Sequence, residues 1–345
     1  MNNTKHKTVD ADIIDLFHRF FDSDPISAKI IDTSRGESDF RKTAIITVSD
    51  GRKFVLKLAA NDFTFPEKIR VWQRTVEEYR QLGYDCPRIF CDQNGGFPTI
   101  DYQGRTCCVH AEEYSKYKTL EDRCDSDRDR MEKEYVRYLK DIWSMTAKIA
   151  AKRLDYTDYP SAFCLFETFC PSDKTDEVLE NALKWKNIAD SLPYAFSAQV
   201  QRIWKLWYGN REELEKRYKK LPTSVFQADL NATNLLIDED GTFRGIYDFN
   251  LCGKDVFLNY LMRENDPETI PEALKIASRF YRFSEEEKAA ALPLYRCLKP
   301  LWYCEVEELK ELGDDRKAVR AFLDKTEHML TDPIDFRTSM EWKGL

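Results

Sequence analysis

No stretch of the 345-residue chain approaches the ~18–20 consecutive apolar residues that a membrane span requires. The polar N-terminus, Met1 to Asp12, runs into an amphipathic stretch with no visible signal peptide, so the cytoplasm is the expected location. The ten cysteines are scattered and contain no CxxC pair. Most sit beside apolar neighbours, as Cys164 does in Phe163–Cys164–Leu165–Phe166, and read as small buried hydrophobes. The four histidines, His6, His18, His110 and His328, have no metal-ligand spacing, which argues against a structural zinc site. Internal repeats and low-complexity tracts are absent. A basic surface is lacking too: the net charge of −8 disfavours nucleic acid as a partner and is compatible with a cationic one.

What remains is a composition of 42% hydrophobic and 33% charged residues, ordinary for a folded protein with one large domain or two modest ones. Residues 10–22 place Ile13, Phe17 and Phe20 on one face of a short helix, with Asp10 as a cap. Strand-like runs follow at Ala28–Thr33, Thr43–Val48 and Lys53–Leu58, the last two joined by a tight turn at Ser49–Asp50–Gly51. Pro66 opens a helix with Ile69, Trp72, Val76 and Tyr79 at helical period, ending near Gly83. Further strands are expected at Phe97–Tyr102 and Thr106–Tyr114. Ser115 to Arg130 is charged and loop-like, and the rest reads as mostly helical. The expected boundary therefore falls near residue 114, between a small α+β lobe (1–114) and a larger helical lobe (115–345).

One island interrupts the helical part. In residues 223–250, Asn234–Ile237 and Phe243–Phe249 read as short strands linked by a turn at Asp238–Glu239–Asp240–Gly241. Asp229 and Asn234 precede this hairpin across one tight loop, and Asp248 lies on its returning arm. Transfer of a phosphoryl group from ATP needs Mg²⁺ against the phosphates, a cation on them, and a carboxylate that orients the acceptor hydroxyl. One carboxylate and one amide oxygen suffice for a cation that keeps several waters. Asp229 is thus the catalytic candidate, and Asn234 and Asp248 are the metal candidates. Upstream, Lys57 in the apolar run Phe54–Leu58 suits the phosphates, and Gly36–Glu37–Ser38 offers backbone N–H groups and a hydroxyl to cover them.

With these residues in this order, the chain resembles the aminoglycoside phosphotransferase and choline kinase group, small-molecule relatives of the protein kinases. The resemblance spans roughly residues 28–265. Phe226–Asn234 stands at the family's catalytic loop, Ile246–Asn250 at its metal-binding Asp, and Gly36–Phe40 at its nucleotide-positioning loop. It implies a bilobal protein-kinase-like α+β fold, with a small antiparallel-sheet lobe and a larger helical one. It also implies ATP and Mg²⁺ as cofactors. Gln227 stands where the family commonly has a loop-structuring His. For the glutamate that pairs with Lys57, helical facing selects Glu78, with Glu67 and Glu77 as alternatives. Adenine is expected against linker backbone at about Ala111–Tyr114, which brings in Glu112 and Tyr114; the side chains of Glu112 and Glu113 read as solvated.

The expected function is transfer to a hydroxyl of a small molecule, aminoglycoside-, choline- or amino-alcohol-like, bound near the helical segments. The acidic run Glu264, Asp266, Glu268 reads first as solvated surface and second as a contact for substrate amines. A nucleotide-binding regulator without catalysis is the alternative. A protein kinase ranks below both, because no GxGxxG loop, HRD triplet or APE segment is present.

Overall fold

Strict alternation in the N-terminal strands sets the first layer of the structure, a computed structural model that describes residues 11–313 and 315–342. Asp10, the expected helix cap, lies outside the described residues. Helix α1 (Ala11–His18) leads into β1 (Pro25–Asp32), β2 (Phe40–Val48) and β3 (Lys53–Ala60). Then come α2 (Pro66–Gln81), β4 (Ile89–Phe90), β5 (Thr99–Tyr102) and β6 (Arg105–Glu113). The sheet is antiparallel in the order β1-β2-β3-β6-β4, with β5 also paired to β6.

Because successive side chains point to opposite faces, one face of this sheet carries Ala44, Ile46, Val48, Phe54, Leu56, Leu58, Cys107, Val109 and Ala111, all buried. Ile13, Leu16 and Phe17 of α1 cover that face, each such side chain contributing about 1.5–3 kcal/mol of burial. The other face receives Thr43, Ile45, Val55, Lys57, His110 and Glu112, and lines a cavity. Alternation alone has sorted core from site.

Beyond the sheet, β7 (Lys118–Thr119) and α3 (Leu120–Arg123) occupy part of the segment expected to be loop. Helices α4 (Arg128–Ala151), α5 (Glu177–Asp190) and α6 (Ser197–Tyr218) follow. Next are β8 (Thr223–Phe226), the hairpin β9 (Leu235–Ile237) and β10 (Phe243–Ile246), and β11 (Gly253–Val256). The chain ends with α7 (Phe257–Glu264), α8 (Ile270–Ala277), α9 (Glu285–Leu298), α10 (Tyr303–Leu312) and α11 (Arg316–Thr331). Strand β7 adds to the hairpin in the order β10-β9-β7, and β8 pairs with β11.

Packing divides the chain into two compact units. Among the described residues, the first comprises 11–137, 170–172 and 229–252; the second comprises 138–169, 173–228, 253–313 and 315–342. The hairpin thus belongs to the first unit, with the large sheet. Gly245 explains how tightly it is fixed there. Its backbone bridges Asp85 just after α2, and a Cβ at this position would fall 1.9 Å from the Asp85 carbonyl oxygen. Only glycine permits that approach. No helix among the described residues is long and apolar enough to cross a membrane.

Candidate functional site

Lys57 sits mid-strand on β3, opposite His110 of β6, while Val55 lies opposite Glu112. Lys57 and Glu112 are therefore diagonal neighbours on one face of the ladder. The Lys57 ammonium lies 3.1 Å from Glu112 Oε2 and 3.0 Å from Asp248 Oδ1. The second oxygen of Glu112, Oε1, meets His110 Nε2 at 3.1 Å. Burial alone would lower the pKa of Lys57, but the charges of Asp248 and Glu112 outweigh it and raise the pKa above its ordinary value. Burial alone would raise Glu112, but the Lys57 charge outweighs it and holds the carboxyl down at about 2. The side chain of Glu112 is only 9% exposed, so the expectation of a solvated carboxylate gives way to a buried, charged one. Its Lys57 partner supplies the compensation that a buried charge needs.

The catalytic-loop candidates are built by local hydrogen bonds. Asn231 caps the 3-10 turn Ala232–Asn234, accepting from Thr233 N at 2.9 Å, and its amide donates to Asp229 Oδ1 at 2.8 Å. Asn234 donates from its NH₂ to the Asp229 carbonyl at 2.9 Å and to Asp229 Oδ2 at 3.1 Å. The Asp229 carboxylate is thus gripped by two amides, one at each oxygen. Asn234 in turn is tied to the returning arm, where Tyr247 N donates to its carbonyl at 3.1 Å. Asp248 follows in the left-handed region, with φ 61° and ψ 71°. Asp tolerates that region better than most residues, and such backbone is costly enough to be kept where it orients a side chain.

Lys57, Glu112, Tyr114, Asn234 and Asp248 all line one cavity of about 620 Å³ in the first unit, with Ile45, Val55, Trp72, His110 and Tyr247 among its other walls. Asp229 is not on that wall and reaches the group through Asn234. Gly36 (φ 84°) and Ser38 are exposed in the β1–β2 loop, outside the cavity lining, while Thr33 and Arg35 of the same loop do line it. The loop is braced by Arg35 N donating to Asp39 O at 2.9 Å and by Arg105 donating to Glu37 O at 2.9 Å.

Glu78 is half-buried on α2, but the ion pairs of Lys57 are with Glu112 and Asp248. Of the two alternatives, Glu67 is exposed and Glu77 pairs with Arg88 at 3.4 Å. Toward the cavity α2 presents Trp72, packed edge-on to His110 at 5.8 Å between ring centroids. Tyr114 is 44% exposed, with the Lys53 ammonium 5.1 Å from its ring centroid.

Whether a divalent cation fits can be judged from the donors. With its NH₂ committed to Asp229, Asn234 offers its side-chain Oδ1, which accepts from Thr233 Oγ1 at 3.2 Å and has a second lone pair for a cation, and Asp248 adds a carboxylate on the same cavity. An amide and a carboxylate oxygen suit a hard cation that retains water. No cluster of three or more His, Cys, Asp or Glu suited to a metal is present among the described residues, and a site of one Asp and one Asn requires none.

No protein-family model matches the chain, and no curated protein matches its sequence. Solved structures do share its fold. A microcompartment-associated aminopropanol kinase superposes with a TM-score of 0.51 at 16% identity, covering 93% of this chain and 95% of its own. An amicoumacin kinase, solved with AMP-PNP, Ca²⁺ and Ami, gives 0.52 at 12% identity, covering 95% and 96%. The expected fold class holds: an antiparallel sheet with many helices, in the kinase-like arrangement of these small-molecule kinases.

Proposed function

We propose that the protein is an ATP- and Mg²⁺-dependent phosphotransferase that moves the γ-phosphoryl group onto a hydroxyl of a small molecule. The observation that carries this reading is the meeting of Lys57, Asn234 and Asp248 on one cavity, with Asn234 bonded to Asp229. Lys57 binds the phosphates. Asn234 and Asp248 hold the metal, which when bound neutralises charge developing on the phosphoryl oxygens. Asp229, kept in register by Asn231 and Asn234, orients the acceptor hydroxyl and accepts its proton. The β1–β2 loop, which puts Thr33 and Arg35 on the cavity wall and carries Gly36 and Ser38 at its exposed tip, covers the phosphates, and the backbone near Glu112 and Tyr114 receives the base. The lobes of this reading are 1–114 for nucleotide and 115–345 for catalytic loop and acceptor, and the enzyme works in the cytoplasm.

The acceptor is aminoglycoside-, choline- or amino-alcohol-like. Supporting this are the acidic balance of the chain and the aminopropanol named for one solved kinase of the same fold.

A thermal-shift titration tests the reading. Mg–ATP is expected to raise the Tm of the wild type, and Asp248→Ala to remove most of that rise. Asp229→Ala should retain the rise and lose transfer in an ATP-consumption screen against amino alcohols, choline and aminoglycosides. A wild type indifferent to Mg–ATP would overturn the proposal. Nucleotide binding without transfer to any class would favour the regulator.

A further inference from the structure

The geometry points to Glu112 as the positioning carboxylate for Lys57, supplied by strand β6 in place of a glutamate on helix α2; this rests on the phosphotransferase reading. Lys57 is held by two carboxylates, and they are not equivalent. Asp248 is the proposed metal ligand, so it must give up Lys57 when the metal–nucleotide complex enters. Glu112 has no such second duty. Its Oε1 is engaged by His110 and its Oε2 by Lys57, so the carboxylate cannot rotate without breaking one of the two contacts. A lysine with Asp248 as its sole partner would collapse onto it and compete with the metal for the same oxygens. With Glu112 beside it, the ammonium has a partner when Asp248 turns away.

The position of this pair is fixed by the sheet. Lys57 and Glu112 are on hydrogen-bonded neighbouring strands, in the register Val55↔Glu112 and Lys57↔His110. Where a kinase lysine depends on a helix glutamate, helix position controls the pair. Here α2 offers the Trp72 indole to the cavity and the pairing is set by the β3–β6 ladder. Displacement of α2 therefore leaves the Lys57 partner in place.

The test measures kcat, KM for ATP and the calorimetric Kd for Mg–ATP in the wild type, E112Q, E112D, D101N, K57A and K57A/E112Q. Glutamine keeps the shape of Glu112 and one acceptor for Lys57, and unchanged circular dichroism checks its fold. E112Q is expected to lower kcat about ten-fold or more, with a smaller change in Kd, because a misplaced ammonium hurts the transition state more than the ground state. E112D should recover part of the loss. D101N, an exposed charge on β5 outside the cavity lining, should stay within about two-fold of the wild type. In the K57A background E112Q should cost less than about two-fold further, since its role acts through Lys57. Wild-type kcat in E112Q, or the same loss in both backgrounds, overturns the inference alone. A wild type that does not bind Mg–ATP overturns the underlying reading and this inference with it.

Discussion

Lys57 and Lys299 are both withdrawn from water, one in each compact unit, and burial pushes both toward the neutral amine. They end on opposite sides of the ordinary lysine value. Lys57 has carboxylates at 3.1 and 3.0 Å and its pKa rises. Lys299, at the end of α9, donates to the Arg263 carbonyl at 2.8 Å. Burial prevails over the charges of Glu264 and Asp266, and its pKa falls to about 8. Depth does not decide the charge state; the partner does. A permanently cationic lysine suits phosphate binding, while one that titrates near neutrality does not.

The sharpest way to break this contrast is to delete each amine. Lys57→Ala should reduce transfer about 10²–10³-fold, the usual cost of losing a preorganised group that stabilises transition-state charge. Lys299→Met should lower it by no more than about five-fold. Equal losses in a steady-state assay would show that the two lysines share a role.

A smaller effect separates them by reactivity. At pH 8 an ordinary lysine is less than about 1% neutral amine, whereas Lys299, at about 8, is near half neutral. Brief acylation at pH 8 followed by peptide mapping should label Lys299 at least about ten-fold faster than Lys57, partial burial having reduced the full advantage. Faster labelling of Lys57 would contradict the paired ammonium.

Much of the first unit was legible in the sequence because its signals are local. The turn at Asp238–Gly241 closes as expected, with Gly241 N donating to Asp238 O at 3.0 Å. Pro66 opens α2, and β2 and β3 contain the expected runs. Strands β8 and β11 were missed for the opposite reason: each has four residues and is a strand only because it pairs with the other across the intervening hairpin. Helix α7 begins only at Phe257, because β11 takes Asp255 and Val256.

Glu112 could have been found. In β6, Cys107, Val109 and Ala111 alternate as one apolar face, which throws His110 and Glu112 to the other; the same count places Lys57 opposite Leu56 and Leu58. What no count supplies is the register between β3 and β6, and register is what turns a shared face into a contact at 3.1 Å. Helical facing selected Glu78 because it measures orientation on α2 alone, and in the fold α2 turns Trp72 to the cavity.

The smallest effects are those of pH on stability, and they fall in separate pH windows for the two regions, acidic for Glu112 and alkaline for Lys299. Glu112 has a folded pKa of about 2, below its unfolded value near 4.5. Its contribution is therefore complete above pH 4.5 and is lost as pH falls toward 2. Urea unfolding of the wild type should weaken across that window, and E112Q should flatten the part that Glu112 supplies. Lys299 has a folded value of about 8 against 10.5 unfolded. Between those limits the unfolded chain binds the extra proton, so this lysine adds stability as pH rises from 8 to 10.5, by at most about 3 kcal/mol. Lys57, raised above 10.5, contributes no such gain. Lys299→Met should thus remove an alkaline rise seen in the wild type by urea unfolding at pH 8, 9 and 10. A rise that survives the substitution would mean that Lys299 keeps its proton, and the contrast with Lys57 would rest on geometry alone.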